Sequence, residues 1–396
     1  MSTSSALPLH GVTVVSIEQA VAAPFATRQL ADLGARVIKI ERPGEGDFAR
    51  RYDTSVRGMA SHFVWLNRTK ESVTLDLKRP EAESVLERLL ARADVFVQNL
   101  APGAADRLGL AAPTLRTQYP SLVVCNVSGF GSSGPYASKK AYDLIVQSEV
   151  GILSVTGTES TPSKVGVSIA DISAGMYAYA GILTALLARK DTGQGTIVDV
   201  SLFDSLGEWM GYPMYYTAYG GSPPERTGAR HATIAPYGPF RTRDGAVVVA
   251  VHNDQEWIRF STDVLGQPNL AADPRFRTTP LRFEHRVALT DAIETAFGTL
   301  TSADALERLE AAGIANARVN SVEEYLRHPQ LAASDSWREI ESPVGRLRAL
   351  RPPVRLDGVE PAMGPIPTVG QHSEAVLAEL GFDHELIAQW RQTGVI

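Results

Sequence analysis

The chain of 396 residues contains a single cysteine, Cys125, which excludes an intrachain disulfide and is compatible with a reducing cytoplasm. Nowhere do eighteen apolar residues follow one another, so no membrane span is expected. A composition of 44% hydrophobic and 21% charged residues reads as a soluble globular protein. The N-terminus lacks a basic region followed by an apolar one, so no secretion signal is expected and the cytoplasm is the expected compartment. A net charge of -6 argues against a nucleic-acid surface, although local basic pockets for a phosphorylated ligand stay open. The eight histidines show no H-E-x-x-H or related spacing, and no G-x-S-x-G occurs, so neither a metal centre nor a serine hydrolase is indicated.

What is present is a chain too long for one ordinary core, with two domains as the expectation. Strand-like runs alternate with amphipathic segments through the first 200 residues: 12–17, 36–40, 72–77, 94–97, 121–127 and 196–202, with helical stretches opened by Pro24 and Pro80. This alternation predicts an α/β domain with a mainly parallel, Rossmann-like sheet. The Gly/Pro-rich stretch 220–224 is the expected linker. Beyond it, a strand at 246–251, several helices and a strand at 316–320 predict a smaller α+β domain. The expected division is 1–224 for the large domain, 225–330 for the small one and 331–396 for a C-terminal segment.

Asp171 is the most informative residue. It lies among Ser168, Ala170, Ser173, Ala174 and Gly175, at the start of an apolar helix expected to reach about Lys190. A helix N-terminus offers unpaired N–H groups and the positive end of the dipole, which are expected to keep this carboxylate ionised and able to act as a nucleophile. The plainer alternative is a helix N-cap.

Six blocks bear on that choice: 22–44, 67–78, 94–103, 128–135, the segment 164–175 around Asp171, and 369–381. Together and in this order they resemble the family III CoA-transferases, the group that includes formyl-CoA:oxalate CoA-transferase and alpha-methylacyl-CoA racemase. The resemblance implies a Rossmann-like large domain, a C-terminal segment that returns to it, and a homodimer of interlocked chains. It also implies coenzyme A as acyl carrier, an acyl-CoA and a small carboxylic acid as partners, and no permanently bound cofactor. Asp171 would be the nucleophile, attacking the thioester to give a mixed aspartyl anhydride. Asp143 falls where formyl-CoA transferase has an active-site glutamate, one methylene longer; its plainer role is to cap the helix 144–151. The positions matching the family's CoA contacts are Arg42, Leu75, Lys78, Asn99, Leu100, Arg107, Leu108 and Lys140.

Where the racemases carry Gly-His-Asp, this chain reads Ala141-Tyr142-Asp143. A tyrosine, with a reference pKa of about 10, is no substitute for a histidine base, so transferase is favoured over racemase. Gly129, Gly131 and Gly134 satisfy G-x-G-x-x-G after a strand, but Pro135 and several further residues precede the next helix. A turn or a wall of the CoA pocket is expected there rather than a dinucleotide site. Val21 replaces a glutamine of the formyl-CoA:oxalate branch, and the small domain lacks that branch's run of glycines, which disfavours oxalate. The wording of 17–24, 253–257 and 328–331 is closer to enzymes exchanging succinyl-CoA with C4–C5 dicarboxylates such as itaconate, mesaconate or citramalate. A free carboxylate calls for a cation, preferably a bidentate arginine; Arg51, Arg226, Arg230 and His231 are the candidates.

Overall fold

The computed structural model describes residues 7–396. They divide into two compact units. The first runs to Val150 and also holds Val165–Gly211 and Asp335–Ile396; the second holds Gly151–Lys164 and Tyr212–Ser334. Against the expected division, the first boundary falls earlier, and residues 151–164 leave the first unit for the second. The Gly/Pro-rich stretch 220–224 therefore lies inside the second unit and not between the two.

The first unit is built on a six-stranded sheet of β1 (Thr13–Ile17), β2 (Arg36–Glu41), β3 (Lys70–Thr74), β4 (Val95–Gln98), β5 (Val123–Ser128) and β6 (Ile197–Ser201). All neighbours are parallel and the order is β3-β2-β1-β4-β5-β6. The inner strands are near-continuous apolar runs because helices cover both faces: Val14, Val15, Val37, Ile38, Val95, Phe96, Val123 and Val124 are all buried. The strand order reverses between β1 and β4, and the crevice at the carboxyl ends of these two strands is where such sheets bind ligands.

Helix Ile169–Thr192 crosses helix Ala22–Asp32 so closely that a Cβ on Gly175 would sit 2.6 Å from the Ala22 carbonyl oxygen. The small residues after Asp171 thus serve this crossing: Ser173, Ala174, Gly175 and Ala178 are buried. By length and composition this helix could span a membrane, and no other among the described residues could. Its buried stripe against the neighbouring helix is that of a core helix.

At the other end of the chain, helices Ser373–Glu379 and His384–Gln392 close the first unit's core. Trp390 packs on Phe382 at 5.0 Å, and Asp76 donates its N–H to the Val395 carbonyl at 2.7 Å. A two-stranded ribbon, β10 (Trp337–Ile340) with β11 (Leu347–Leu350), belongs to the same unit.

The second unit has its own core around Trp257, Phe260, Phe276 and Phe297, under an antiparallel sheet of β7 (Tyr237–Arg241), β8 (Ala246–Ala250) and β9 (Ala315–Arg318). Residues 151–164 join it through Arg226. Its guanidinium donates to the carbonyls of Ser154, Thr158 and Glu159, while the Gly228 N–H reaches the Gly157 carbonyl at 2.8 Å.

Candidate active site

Asp171 is the third residue of its helix. The N-cap is Ser168, which makes no side-chain cap, so the capping alternative for Asp171 does not apply. Its carboxylate accepts no hydrogen bond among the described residues. The capping role falls instead to Asp143, whose Oδ1 accepts the Ala170 N–H at 2.8 Å while Oδ2 accepts Gln147 Nε2 at 2.7 Å. Gln147, fully buried, accepts the Val165 N–H at 2.9 Å. Asp143 and Gln147, one turn apart on helix Asp143–Glu149, therefore clamp both ends of the segment leading to Asp171. Asp143 lies in the first turn of its own helix, behind the N-cap Tyr142, and caps the neighbouring helix instead.

Burial, reinforced by the charge of Asp143, pushes the Asp171 carboxyl up to about 7. The helix terminus was expected to keep this group ionised; desolvation wins, because a terminus contributes roughly 0.3–2 kcal/mol while removing a carboxylate from water costs several. The field of Asp171 also reaches Tyr52. Burial, then Asp47 and Asp171, push this half-exposed phenol up to about 12, so it stays a proton donor.

Sequence reasoning missed a fully buried charge quartet in the same unit. Lys70 Nζ donates to Glu18 Oε1 at 2.7 Å and Lys39 Nζ to Asp47 Oδ2 at 2.7 Å; both lysines also reach Asn67 Oδ1. Asp47 Oδ1 accepts the N–H groups of Ala20 and Ala49, and Ala20 holds the left-handed φ of 62°. The loop after β1 is thus pinned by Asp47 on one side. On the other it is pinned by Asn99, whose Oδ1 accepts the Gln19 N–H and whose Nδ2 donates to the Gln19 carbonyl. A lysine between Ile38 and Ile40, in the middle of a buried strand, was the available signal.

The expected CoA-contact positions separate into two groups. Arg42, Lys78, Arg107 and Lys140 are exposed and follow β2, β3, β4 and β5 respectively, on the connections that leave the sheet's carboxyl edge. Arg42 pairs with Glu45 at 3.0 Å. The Leu75 side chain is 1% exposed, within the core, which leaves only its backbone to meet a ligand. The Asn99 amide is engaged by Gln19, a positioning role, and Leu100 and Leu108 are half-buried against the same core.

The substrate-side candidates are dispersed. Arg51 is in the first unit, exposed, on the short turn Phe48–Arg51, donating to the Glu45 carbonyl at 3.0 Å. Arg226, Arg230 and His231 line one cavity in the second unit. The Arg226 guanidinium is engaged by three backbone carbonyls. Gly131 and Gly134 both take left-handed φ values in a turn beyond β5. Among the described residues no cluster of His, Cys, Asp or Glu could hold a metal.

The sheet order defines a doubly wound α/β fold, and comparison with known proteins assigns the family. The model of CoA-transferase family III matches residues 9–373. Human succinyl-CoA:glutarate CoA-transferase is 31% identical over 394 residues, covering 98% of this chain and 90% of the relative. Acetyl-CoA:oxalate CoA-transferase of Acetobacter aceti is 37% identical over 328 residues, covering 82% and 84%. The crystal structure of a CAIB/BAIF family protein from Brucella suis superimposes with a TM-score of 0.84 at 35% identity, covering 95% of this chain and 100% of the other. The chain belongs to the family III CoA-transferases.

Proposed function

We propose that this enzyme moves CoA from succinyl-CoA to a C4–C5 dicarboxylic acid, with Asp171 as nucleophile. The observation that carries the reading is a desolvated carboxylate with no hydrogen-bond partner among the described residues, in the first turn of a helix that Asp143 holds in place. An Asp171 oxygen attacks the thioester carbonyl, the C–S bond breaks, and a mixed anhydride and CoA thiolate result; the acceptor acid is then exchanged in. Tyr52 O–H is a candidate donor to the developing oxyanion. Arg42, Lys78, Arg107 and Lys140 are the proposed cations for the phosphates of CoA.

Arg51 is the proposed reader of the acceptor's free carboxylate. It is the only one of the four candidates in the same unit as Asp171, and its guanidinium has weak competition: one carbonyl and a Glu45 contact at 3.8 Å. A glutarate-using relative at 31% identity supports the dicarboxylate class, and glutarate joins itaconate, mesaconate and citramalate as acceptors to test. The relative named for oxalate makes that acid the control. A cytoplasmic homodimer is part of the same proposal. In support, helix Gly211–Gly220 buries none of its residues and exposes Tyr212, Met214, Tyr215 and Tyr219, a face suited to a second chain.

The test is trapping. Incubation with succinyl-CoA and hydroxylamine should place a hydroxamate on Asp171, seen by peptide mass spectrometry. Asp171→Ala should bind CoA without transferring it. Transfer at near wild-type rate in that variant refutes the nucleophile.

A further inference from the structure

We propose that the second unit carries its own binding site for a small organic carboxylate with an apolar body, in the cavity lined by His231, Arg230 and Arg286. The cavity holds about 260 Å³. That is below the ~300–1,000 Å³ of pockets that take drug-sized ligands, so a nucleotide is too large and a compact acid fits.

Its apolar walls are Ile234, Tyr237, Phe240, Phe283, Val287 and Leu289. Its polar groups are held rather than loose. His231 Nδ1 accepts the N–H groups of Thr233 and Ile234, both at 3.1 Å, which in the neutral ring places the proton on Nε2. The ring is stacked on Tyr237 at 5.1 Å, and Tyr237 in turn meets His252 edge-on. Nε2–H has no partner among the described residues and remains a donor.

Arg230 lies over Phe240 and reaches Thr290 Oγ1 at 3.3 Å and Glu294 at 3.5 Å. Arg286 lies over Phe283 and reaches Glu225 at 3.2 Å. A guanidinium has five N–H donors, so each keeps several for a planar carboxylate. The lining contains three arginines, counting Arg226, against Glu159 and Glu225, and Glu294 stands 3.5 Å from Arg230, so cations and carboxylates balance. A dianionic phosphate ester would meet these three carboxylates with twice the charge of a simple carboxylate and is disfavoured relative to it. The site lies entirely within the second unit and does not depend on the reading of Asp171.

The experiment is calorimetric titration of benzoate into the full chain carrying Asp171→Ala, which removes the proposed covalent chemistry. One saturable site per chain is expected, with acetate, which lacks the apolar body, binding far more weakly. Adding His231→Asn keeps an acceptor for the two N–H groups but deletes the Nε2 donor; Arg286→Gln deletes one guanidinium. Each should weaken benzoate by roughly tenfold or more while leaving the melting midpoint unchanged. Saturating CoA should leave benzoate affinity as it was. Absence of saturable binding, equal affinity for acetate, unchanged affinity in both variants, or displacement by CoA would each overturn the assignment.

Discussion

Asp171→Asn should make the protein more stable in a pH-dependent way. The carboxyl titrates near 3.8 when unfolded and at about 7 when folded, because burial and Asp143 oppose its charge. A raised acid retains its proton longer in the native state, so its ionisation costs stability. Nothing is lost below the unfolded value. The loss then accumulates at about 1.4 kcal/mol per pH unit and levels off above the folded value. Over the interval between the two values the full penalty comes to about 4 kcal/mol, of which about 2–3 kcal/mol falls between pH 5 and pH 8.5. The amide of the variant does not titrate and escapes this loss. Equilibrium urea denaturation of wild type and variant side by side, at pH 4, 5, 7 and 8.5, should show the stability gap widening with pH and flattening above about 8. A gap that is constant from pH 4 to 8.5, or one that narrows, refutes the claim that desolvation controls this carboxylate.

If Asp171 is the proposed nucleophile, the same raised pKa predicts that kcat/KM for transfer rises with pH around an inflection near 7, as its carboxylate forms, in a profile taken with succinyl-CoA and glutarate. Asp143→Ala should destabilise the protein by about 1–2 kcal/mol through the lost cap on Ala170. It should also move that inflection to lower pH only part of the way, since burial, the larger cause, remains. Asp47→Ala should cost about 3–5 kcal/mol in denaturation experiments, because it leaves Lys39 buried without its 2.7 Å partner. Arg51→Gln should raise KM for the dicarboxylate by about tenfold or more with CoA affinity unchanged, and an unchanged KM removes Arg51 from the site. Deuterium exchange at the alpha carbon of a 2-methylacyl-CoA in heavy water should not exceed that of a no-enzyme control, since Tyr142 stands where a racemase needs a base.

The sheet was legible because its strands are buried on both faces and therefore read as apolar runs. The exception is instructive. The third strand was expected at 72–77 and lies at Lys70–Thr74. Lys70 is a charged member of the ladder with its charge matched by Glu18, a partner 52 residues away that hydrophobic patterning does not reveal. Residues 151–164 escaped for the same reason: their place in the second unit depends on Arg226 reaching back to the carbonyls of Ser154, Thr158 and Glu159. A Gly/Pro-rich stretch marks a place where the chain turns, and at 220–224 it turns within a unit. The place of Asp171 in the first turn of its helix was legible from its neighbours, but its protonation depended on burial, which a helix-terminus argument leaves out.

The raised pKa of Asp171 has a mechanistic direction. Burial and the charge of Asp143 penalise the carboxylate, the reactant of the proposed step, and they do not penalise a neutral acyl anhydride at the same oxygen. Acylation removes the charge from that oxygen and transfers it to the departing thiolate, so much of the ~4 kcal/mol that opposes ionisation is relieved as the new C–O bond forms. The arrangement therefore trades population for reactivity. At neutral pH a sizeable fraction of the carboxyls is protonated and idle, while those that are ionised are more basic than an exposed aspartate and less solvated. Asp143 suits the proposed step because both its oxygens are held, by Ala170 N–H and Gln147 Nε2, so its charge stays beside Asp171 without competing for the thioester. Asp143→Asn should consequently lower the pKa of Asp171 and slow acylation at pH 8.5, where both enzymes are ionised. A single-turnover rate of CoA release at that pH equal to wild type would show that Asp143 acts only as a cap.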